Sequence, residues 1–232
     1  MSIDSSIQST MQEETISTFN DFKKKHNTPV IIEVSGTPNS GKTTTIAMLT
    51  TYFKQVVPSL RVNAIGEAAN SCKVKEKLSP IFNEWTALET LRVLQEAESS
   101  RYDIVFCERG VFDALCWLKF HFDNGSVTKD EYDIMSSFYL LPRFVQRVNL
   151  LILMKCNVET SIERENRMSL ISAERTIVNK HVLTKFNSAV EDVYSKYGEQ
   201  FVQPNVLDTT GLNPHEISEN FLGVLTQHLR KQ

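Results

Sequence analysis

Residues 36–43, Gly-Thr-Pro-Asn-Ser-Gly-Lys-Thr, have the residue types and spacing of a phosphate-binding loop. In such a loop, backbone N–H groups and the start of a helix converge on an anion. The lysine would contact the outer phosphates of a nucleoside triphosphate, and the threonine hydroxyl would bind Mg²⁺. The main-chain N–H groups of 39–44 would hold phosphate oxygens. The residues that we assign to the nucleotide here are Gly36, Asn39, Ser40, Gly41, Lys42, Thr43 and Thr44.

The segments on either side of this loop provide the context that the motif requires. Residues 29–34 are apolar and β-branched, which is typical of a buried strand. After the loop, Ile46, Leu49 and Phe53 recur at the spacing of a helix with one buried face. The order strand, turn, helix therefore favours a nucleotide site over a chance glycine-rich turn.

A glutamate and an arginine follow the apolar segment 102–107, which we predict to be a strand. Ligands of parallel α/β sheets bind at the carboxyl ends of the strands, so both side chains are candidates for the site. We expect Glu108 to lie near the metal and Arg109 to neutralise charge on a transferred phosphoryl group. The alternatives are a solvated carboxylate for Glu108 and, for Arg109, a salt bridge with Glu108 or Asp113.

Glu67 stands just past a second predicted strand, 60–66. A carboxylate at this place could accept the proton of an attacking hydroxyl group. It could equally be an ordinary solvated side chain, and the sequence does not separate the two interpretations.

The segment 164–177 is dense in charge and contains Arg164, Arg167 and Arg175. One interpretation is a lid that closes basic side chains over phosphates and excludes water. The other is an exposed helix whose arginines pair with neighbouring glutamates. Trp85 and Phe112 are candidates for stacking on a base, although aromatic residues at helical spacing are more often part of the core.

Composition narrows the range of partners. The chain has 232 residues and a formal net charge of −3, which gives no electrostatic footprint for nucleic acid. No apolar run approaches the ~20 residues that span a membrane, so we expect neither nucleic acid nor membrane as a partner. Residues 1–12 are polar and contain no Lys or Arg, so they resemble neither a secretory signal nor an Arg-rich transit peptide. The four cysteines form no Cys-x-x-Cys pair, which favours reduced thiols and a cytoplasmic location.

Strands and helices alternate along the chain, and no internal repeat is visible. The predicted strands are 29–34, 60–66, 102–107, 149–155 and 206–207, and the predicted helices are 13–25, 44–54, 83–99, 112–122, 128–144, 158–167, 178–197 and 214–229. This order predicts an α/β three-layer sandwich with a five-stranded parallel sheet, of the P-loop nucleoside triphosphate hydrolase type. Residues 1–27 would be a flexible segment with a short helix, and 28–232 the nucleotide-binding domain.

Together these residues resemble the deoxynucleoside kinase family, within the wider group of nucleoside and nucleoside monophosphate kinases. The resemblance covers about residues 30–229. It depends on the phosphate loop, Glu67 and the Glu108-Arg109 pair. Weaker similarities are Phe122-Asp123-Asn124-Gly125-Ser126, Glu131-Tyr132, and the strand 149–155 followed by Glu163-Arg164.

The resemblance implies a role for each matching residue. Glu67 would be the general base for a sugar 5′-hydroxyl, Glu108 would assist Mg²⁺, and Arg109 would steady the acceptor oxygen. Arg164 and Arg167 would belong to the lid. Asp208, Thr209 and Thr210 would lie beside the adenine of ATP. The residues expected at the acceptor are Glu67, Trp85, Arg109, Phe112 and Asp113. The family also implies that a homodimer can form.

The chain departs from the family pattern at several positions. The family usually has proline after the general base and serine after Glu-Arg, where this chain has Ala68 and Gly110. A glutamine that commonly contacts the base is replaced by Thr90, and the lid contains fewer arginines. A monophosphate acceptor would need further cations, for which Arg92, Arg143 and Arg147 are candidates.

The sequence thus predicts an ATP- and Mg²⁺-dependent kinase that transfers the γ-phosphoryl group to a small acceptor, a nucleoside first of all. One alternative is a nucleoside monophosphate kinase similar to thymidylate kinase. The other is a P-loop regulatory module that hydrolyses ATP slowly and signals to a partner. A carboxylate on the acceptor side and a basic lid favour the kinases.

Overall fold

The computed structural model describes residues 5–25, 28–99, 101–168 and 177–231. It contains the strands β1 (Val30–Gly36), β2 (Val62–Ile65), β3 (Ile104–Glu108), β4 (Leu150–Lys155) and β5 (Pro204–Asp208). The helices are α1 (Ser5–Lys25), α2 (Lys42–Val56), α3 (Pro80–Glu98), α4 (Val111–Asp123), α5 (Lys129–Tyr139), α6 (Pro142–Val145), α7 (Val158–Met168), α8 (Lys180–Tyr197) and α9 (Pro214–Arg230). Two short 3₁₀ turns lie at Ala68–Asn70 and Gly198–Gln200.

The five strands form one parallel sheet in the order β2-β3-β1-β4-β5. Strands β1 and β3 are buried along their whole length, and β4 is buried except at its last residue, Lys155. This is expected for strands covered by helices on both faces. The predicted fold class is therefore confirmed. The connection that leaves β1 leads towards β2 at one edge of the sheet, whereas those that leave its neighbours β3 and β4 lead towards β5 at the other edge. Open α/β sheets bind ligands at such a switch point.

Alternate side chains of each central strand enter two different cores. Val30, Ile32 and Val34 of β1 pack with α1, α2 and α9 on one face of the sheet. Ile31 enters the other core, which α3, α4, α5, α6 and α8 cover. Because side chains alternate along a strand, Glu33 points to the same face as Ile31.

Two helical predictions differ from the structure. The stretch 128–144 is not one helix but two, α5 and α6, because Pro142 disfavours helical backbone at the residue before it. The N-terminal helix begins at Ser5 instead of near residue 13. Its Phe19 and Phe22 are buried, and the Phe19 ring lies 4.6 Å from that of Phe53. Within the described ranges, no helix combines the length and apolar character needed to cross a membrane.

Candidate active site

The phosphate-binding loop follows β1 and ends at the start of α2. Gly36 has a φ of 124°, and a Cβ there would lie 2.0 Å from the carbonyl oxygen of Met154 in β4. Only glycine permits this close approach between the loop and the neighbouring strand. No side chain caps α2, whose N-cap is Gly41. The N–H groups of its first turn thus remain available to an anion.

Lys42 is the first residue of α2, and its side chain is buried beneath the loop. Its Nζ donates to the carbonyl oxygen of Thr37 at 2.7 Å and to that of Gly36 at 3.3 Å. Burial lowers the pKa of Lys42 to about 8, and the positive charge of Arg109 acts in the same direction. The negative charge of a bound nucleotide phosphate would stabilise the charged form of this ammonium group.

Thr43 and Glu108 come together although 65 residues separate them. The threonine Oγ1 donates to the Glu108 Oε1 at 2.5 Å, and the Glu108 carboxylate is largely buried. A hydroxyl and a carboxylate are the hard oxygen ligands that Mg²⁺ prefers, alongside phosphate oxygens and water. The pair therefore fits a magnesium site next to the phosphate loop. Within the described ranges, no group of three acids, histidines or cysteines offers an alternative metal site.

Arg109 lies between two carboxylates. Its Nε is 2.8 Å from Oε1 of Glu67, and its Nη1 is 2.7 Å from Oδ1 of Asp113. Of the two salt-bridge partners that the sequence suggested for Arg109, Asp113 forms the bridge and Glu108 does not. The second partner is Glu67. Burial raises the pKa of Glu67, but the charges of Arg109 and Lys42 outweigh it and lower that pKa overall. Burial has the larger effect on Asp113, whose pKa is raised.

Two cavities lie on either side of this cluster. One contains the phosphate loop, and we call it the donor cavity. It has a volume of about 520 Å³ and is lined by Pro38, Asn39, Gly41–Thr45, Glu67, Glu108, Arg109, Arg164, Arg167, 211–214 and Ile217. The other lies where the sequence predicts the acceptor, and we call it the acceptor cavity. It has a volume of about 550 Å³ and is lined by Pro38, 67–70, Lys75, Lys77, Phe82, Asn83, Thr86, Ala87, Thr90, Arg109, Gly110, Asp113, Ala114, Trp117, His121, Glu165, Ile177 and Val178. Pro38, Glu67 and Arg109 line both. The carboxylate and the guanidinium group thus stand where the two cavities meet.

Helix α7 is held against the phosphate loop by four hydrogen bonds. The Asn39 side chain donates to the carbonyl oxygen of Ser161 at 3.2 Å and to Glu165 Oε2 at 2.7 Å. In return, Ser161 Oγ donates to the Pro38 carbonyl at 2.8 Å, and Arg164 donates to the Asn39 carbonyl at 3.1 Å. Asn39 has a φ of 58°, which turns its carbonyl and side chain towards this helix.

Arg164 joins loops instead of presenting its N–H groups to phosphates. Its two terminal nitrogens donate to Asn39, Leu212 and both oxygens of Thr209. Arg167 is exposed and pairs with Glu163, one helical turn earlier. Both arginines line the donor cavity. Arg175 and most of the predicted lid 164–177 lie outside the described residues.

The residues predicted beside adenine lie at the end of β5 and in the loop after it. Thr209 is fully buried, and its hydroxyl donates to the Ser40 carbonyl at 2.9 Å. Neither Thr209 nor Asp208 lines the donor cavity. The lining residues of this loop are the next ones, Gly211 to Asn213.

The two aromatic residues predicted to stack on a base do not line the acceptor cavity. Phe112 is fully buried and packs edge-on against Phe201 at 5.4 Å. Trp85 lies on α3 but does not line the cavity, where Phe82 and Trp117 are found instead. Trp117 follows Asp113 by one turn of α4, a spacing that could have pointed to it.

The three arginines considered for an acceptor phosphate face other surroundings. Arg92 pairs with Glu89 and Glu96 on its own helix, and Arg147 pairs with Glu98. Arg143 lies over the ring of Phe144, 5.3 Å from its centroid. None of the three lines either cavity. The lysines that line the acceptor cavity are Lys75 and Lys77, both exposed.

Two polar residues of the site were not identified from sequence. Asn83 is buried in the wall of the acceptor cavity, and its Nδ2 donates to the Ala114 carbonyl at 3.4 Å. Its Oδ1 has no hydrogen-bond partner among the described residues. Glu33 of β1 is fully buried beneath the start of α4. A single glutamate inside an apolar strand gives no sequence pattern that identifies such a role.

Solved structures with a similar fold include nucleoside and nucleotide kinases. Deoxyadenosine kinase from M. mycoides with products dCMP and a flexible dCDP bound has a TM-score of 0.65 at 17% identity, covering 85% of this chain and 100% of that one. The same enzyme with bound dATP has a TM-score of 0.64 at 15% identity, covering 84% and 99%. Thymidylate kinase from Candida albicans has a TM-score of 0.58 at 11% identity, covering 87% and 94%. No protein-family model and no curated protein matches the chain. The chain thus has the fold of P-loop nucleoside and nucleotide kinases.

Proposed function

We propose that this protein is an ATP-dependent kinase that transfers the γ-phosphoryl group of ATP to a hydroxyl group of a nucleoside-like acceptor. The observation that carries the proposal is the meeting of two cavities at Glu67 and Arg109. One cavity contains the phosphate loop, and the other has the size of a small-molecule site. A P-loop protein that only hydrolyses ATP needs no second cavity of this kind.

Glu67 is the general base in this proposal. Its pKa is lowered by Arg109 and Lys42, so the carboxylate is ionised at neutral pH and can accept a proton. The acceptor oxygen attacks the γ-phosphorus and its proton passes to Glu67. The bond from the γ-phosphorus to the bridging oxygen breaks, and ADP leaves. Arg109 offsets the negative charge that develops on the transferred group.

Thr43 and Glu108 would hold Mg²⁺ through their side-chain oxygens. When bound, the ion would neutralise charge on the β- and γ-phosphate oxygens. The cradle for these phosphates would consist of the N–H groups at the start of α2 and the Lys42 ammonium group.

Asn83 and Trp117 are proposed to select the acceptor. The Nδ2 of Asn83 faces the Ala114 carbonyl, and its buried Oδ1 has no partner among the described residues; a rotation of the side chain would let this oxygen accept a hydrogen bond from the ligand. Trp117 supplies an aromatic wall. Burial lowers the pKa of His121 to about 4, so this lining residue is uncharged at neutral pH. Such a wall suits a neutral heterocycle that carries an N–H donor.

A nucleoside monophosphate is the second candidate acceptor. Lys75 and Lys77 line the acceptor cavity and could offset the charge of a phosphate group. Both side chains are exposed, and Arg109 is already engaged by two carboxylates. A nucleoside acceptor therefore agrees better with the charges at the site.

The test measures ADP release from ATP in the presence of nucleosides and, separately, nucleoside monophosphates. We expect one nucleoside or more to raise turnover far above the rate with ATP alone. Larger stimulation by monophosphates would favour the second acceptor class. No stimulation by any compound would contradict the kinase proposal.

Two variants assign the base. Glu67→Gln is expected to lower kcat by ~10²–10⁴-fold while ATP still binds, because a general base contributes about this much. Glu76→Gln, at an exposed position of the same connection, is the matched control and should leave kcat unchanged. An unchanged kcat in Glu67→Gln would assign the base to another group.

A further inference from the structure

Glu33 is an acid in an unusual place. It lies in the middle of β1 between Cys107 of β3 and Leu151 of β4, and none of its surface is exposed. A carboxyl group in such surroundings costs free energy unless hydrogen bonds compensate it. Its hydrogen bonds therefore show what it does in the fold.

All the described hydrogen bonds of this carboxyl group reach Oε1. The Ser35 hydroxyl donates at 2.6 Å, the N–H of Phe112 at 2.9 Å and the N–H of Asp113 at 3.3 Å. Phe112 and Asp113 are the second and third residues of α4, whose N–H groups have no partner inside the helix. A side-chain oxygen at the N-cap normally accepts these bonds. The N-cap of α4 is Gly110, which has no side chain to do so.

Gly110 also provides the room that Glu33 occupies. A Cβ on Gly110 would lie 2.2 Å from Cδ of Glu33 and 2.3 Å from its Oε2. Both distances are shorter than atoms that are not bonded to each other allow. The backbone of Gly110, with φ −142°, lies outside the left-handed region that favours glycine. The glycine is therefore needed for space, and the carboxyl group takes that space.

The capped turn carries two side chains of the proposed site. Arg109, directly before Gly110, has a φ of 61°, an uncommon conformation that its surroundings must stabilise. Asp113 receives the Arg109 guanidinium on its Oδ1 and donates its own N–H to Glu33. The position of Arg109 beside Glu67 thus depends on the turn that Glu33 holds.

We propose that Glu33 and Gly110 act as a pair in which Glu33, from the central strand, replaces the missing N-cap side chain of α4 and thereby positions Arg109. Glu33 is a positioning residue because it does not contact either cavity itself. Its role in catalysis rests on the proposed kinase function, but its effect on the position of Arg109 does not.

If Glu33 and Gly110 act as a pair, a substitution at either position alone should disturb the start of α4, and the two substitutions combined should not. Glu33→Ala removes the cap, and Gly110→Ser forces a Cβ into the carboxyl group. In the double variant, the serine hydroxyl can cap α4 and its Cβ enters the space that the shorter side chain leaves. Glu33→Gln keeps one oxygen for the same donors and should retain the geometry. Gly223→Ser, on α9 where an added Cβ meets no atom within 4 Å, is the control for glycine replacement.

The first two readouts do not require an acceptor. Amide hydrogen exchange at Phe112 and Asp113 should be faster in Glu33→Ala by about tenfold or more and return to the wild-type rate in the double variant. The pKa of Glu67, followed by NMR titration of its labelled carboxyl carbon, reports whether Arg109 is still beside it. We expect this pKa to rise in Glu33→Ala and to be restored in the double variant and in Glu33→Gln.

The third readout is kinetic. Glu33→Ala should lower kcat by about 10²-fold, the effect of a small misplacement in an active site, with little change in ATP binding. If wild-type protein phosphorylates no acceptor, the kinase proposal fails while the two NMR readouts still decide the role of Glu33. Unchanged amide exchange and an unchanged Glu67 pKa in Glu33→Ala would overturn the inference. So would a double variant that is no better than its worse parent.

Discussion

Replacing Glu33 by glutamine should remove a pH dependence of stability that the buried carboxyl group creates. Burial raises the pKa of Glu33 from its ordinary 4.5 to about 7, and the negative charge of Asp113 adds to this effect. The Ser35 hydroxyl and the two backbone N–H groups oppose it. The folded protein therefore binds this proton more tightly than the unfolded chain does.

The sign and size of the effect follow from this difference. A raised folded-state pKa gives stability that is fully present below the unfolded pKa and is lost as the pH rises through the folded pKa. The full difference corresponds to about 3 kcal/mol, of which roughly 2.5 kcal/mol lies between about pH 5 and about pH 8. The free energy of unfolding of the wild type should fall relative to Glu33→Gln over this interval.

The assay is urea unfolding of both proteins at several pH values across this interval. Three other titratable groups face Glu33, namely Asp113 and Cys116 of α4 and Cys107 of β3. Burial raises the pKa of Cys107 to about 12, and that of Cys116 is also raised, so neither thiol ionises in this range. Asp113 is present in both proteins. A constant difference between the two stability curves would show that Glu33 does not titrate there and would refute the reasoning.

Further predictions concern binding and stability. Lys42→Ala should abolish turnover and weaken ATP binding by at least tenfold, as measured by calorimetry, because it removes the cation that is buried beneath the phosphate loop; full activity would contradict the site. Trp117→Leu should raise the KM for the acceptor severalfold with little change in the KM for ATP, whereas Trp85→Leu, outside the cavity, should change neither. Arg164→Ala should lower the free energy of unfolding by about 2 kcal/mol or more in urea titrations, since it leaves several carbonyl groups unpaired; a smaller loss would mean that water replaces the guanidinium group.

Repeated patterns in the sequence account for the part of the structure that could be predicted. The apolar segments before the phosphate loop and before Glu108 are strands because continuous hydrophobic runs are stable only in the buried centre of a parallel sheet. Once the strands are parallel, their carboxyl ends share one edge, which places Glu67, Glu108 and Arg109 together. The predicted fold was confirmed for this reason.

Side-chain direction within helices and loops was much harder to predict. Trp85 and Phe112 were selected as aromatics on helices near the site, but the sequence does not show which face of a helix meets a cavity. Arg164 was predicted to contact phosphates, and only the structure shows that carbonyl groups already use its N–H donors. The role of Glu33 could not be predicted because its partners in α4, Phe112 and Asp113, lie about 80 residues away along the chain.

The hydrogen bonds between α7 and the phosphate loop have a mechanical consequence. They join Pro38 and Asn39 to Ser161, Arg164 and Glu165 through side chains and carbonyl groups on both partners. A displacement of the loop on nucleotide binding would therefore be transmitted to the helix as long as these bonds persist. The position of helix α7, whose Arg164 and Arg167 line the donor cavity, would thus be coupled to nucleotide binding through the backbone of the phosphate loop as well.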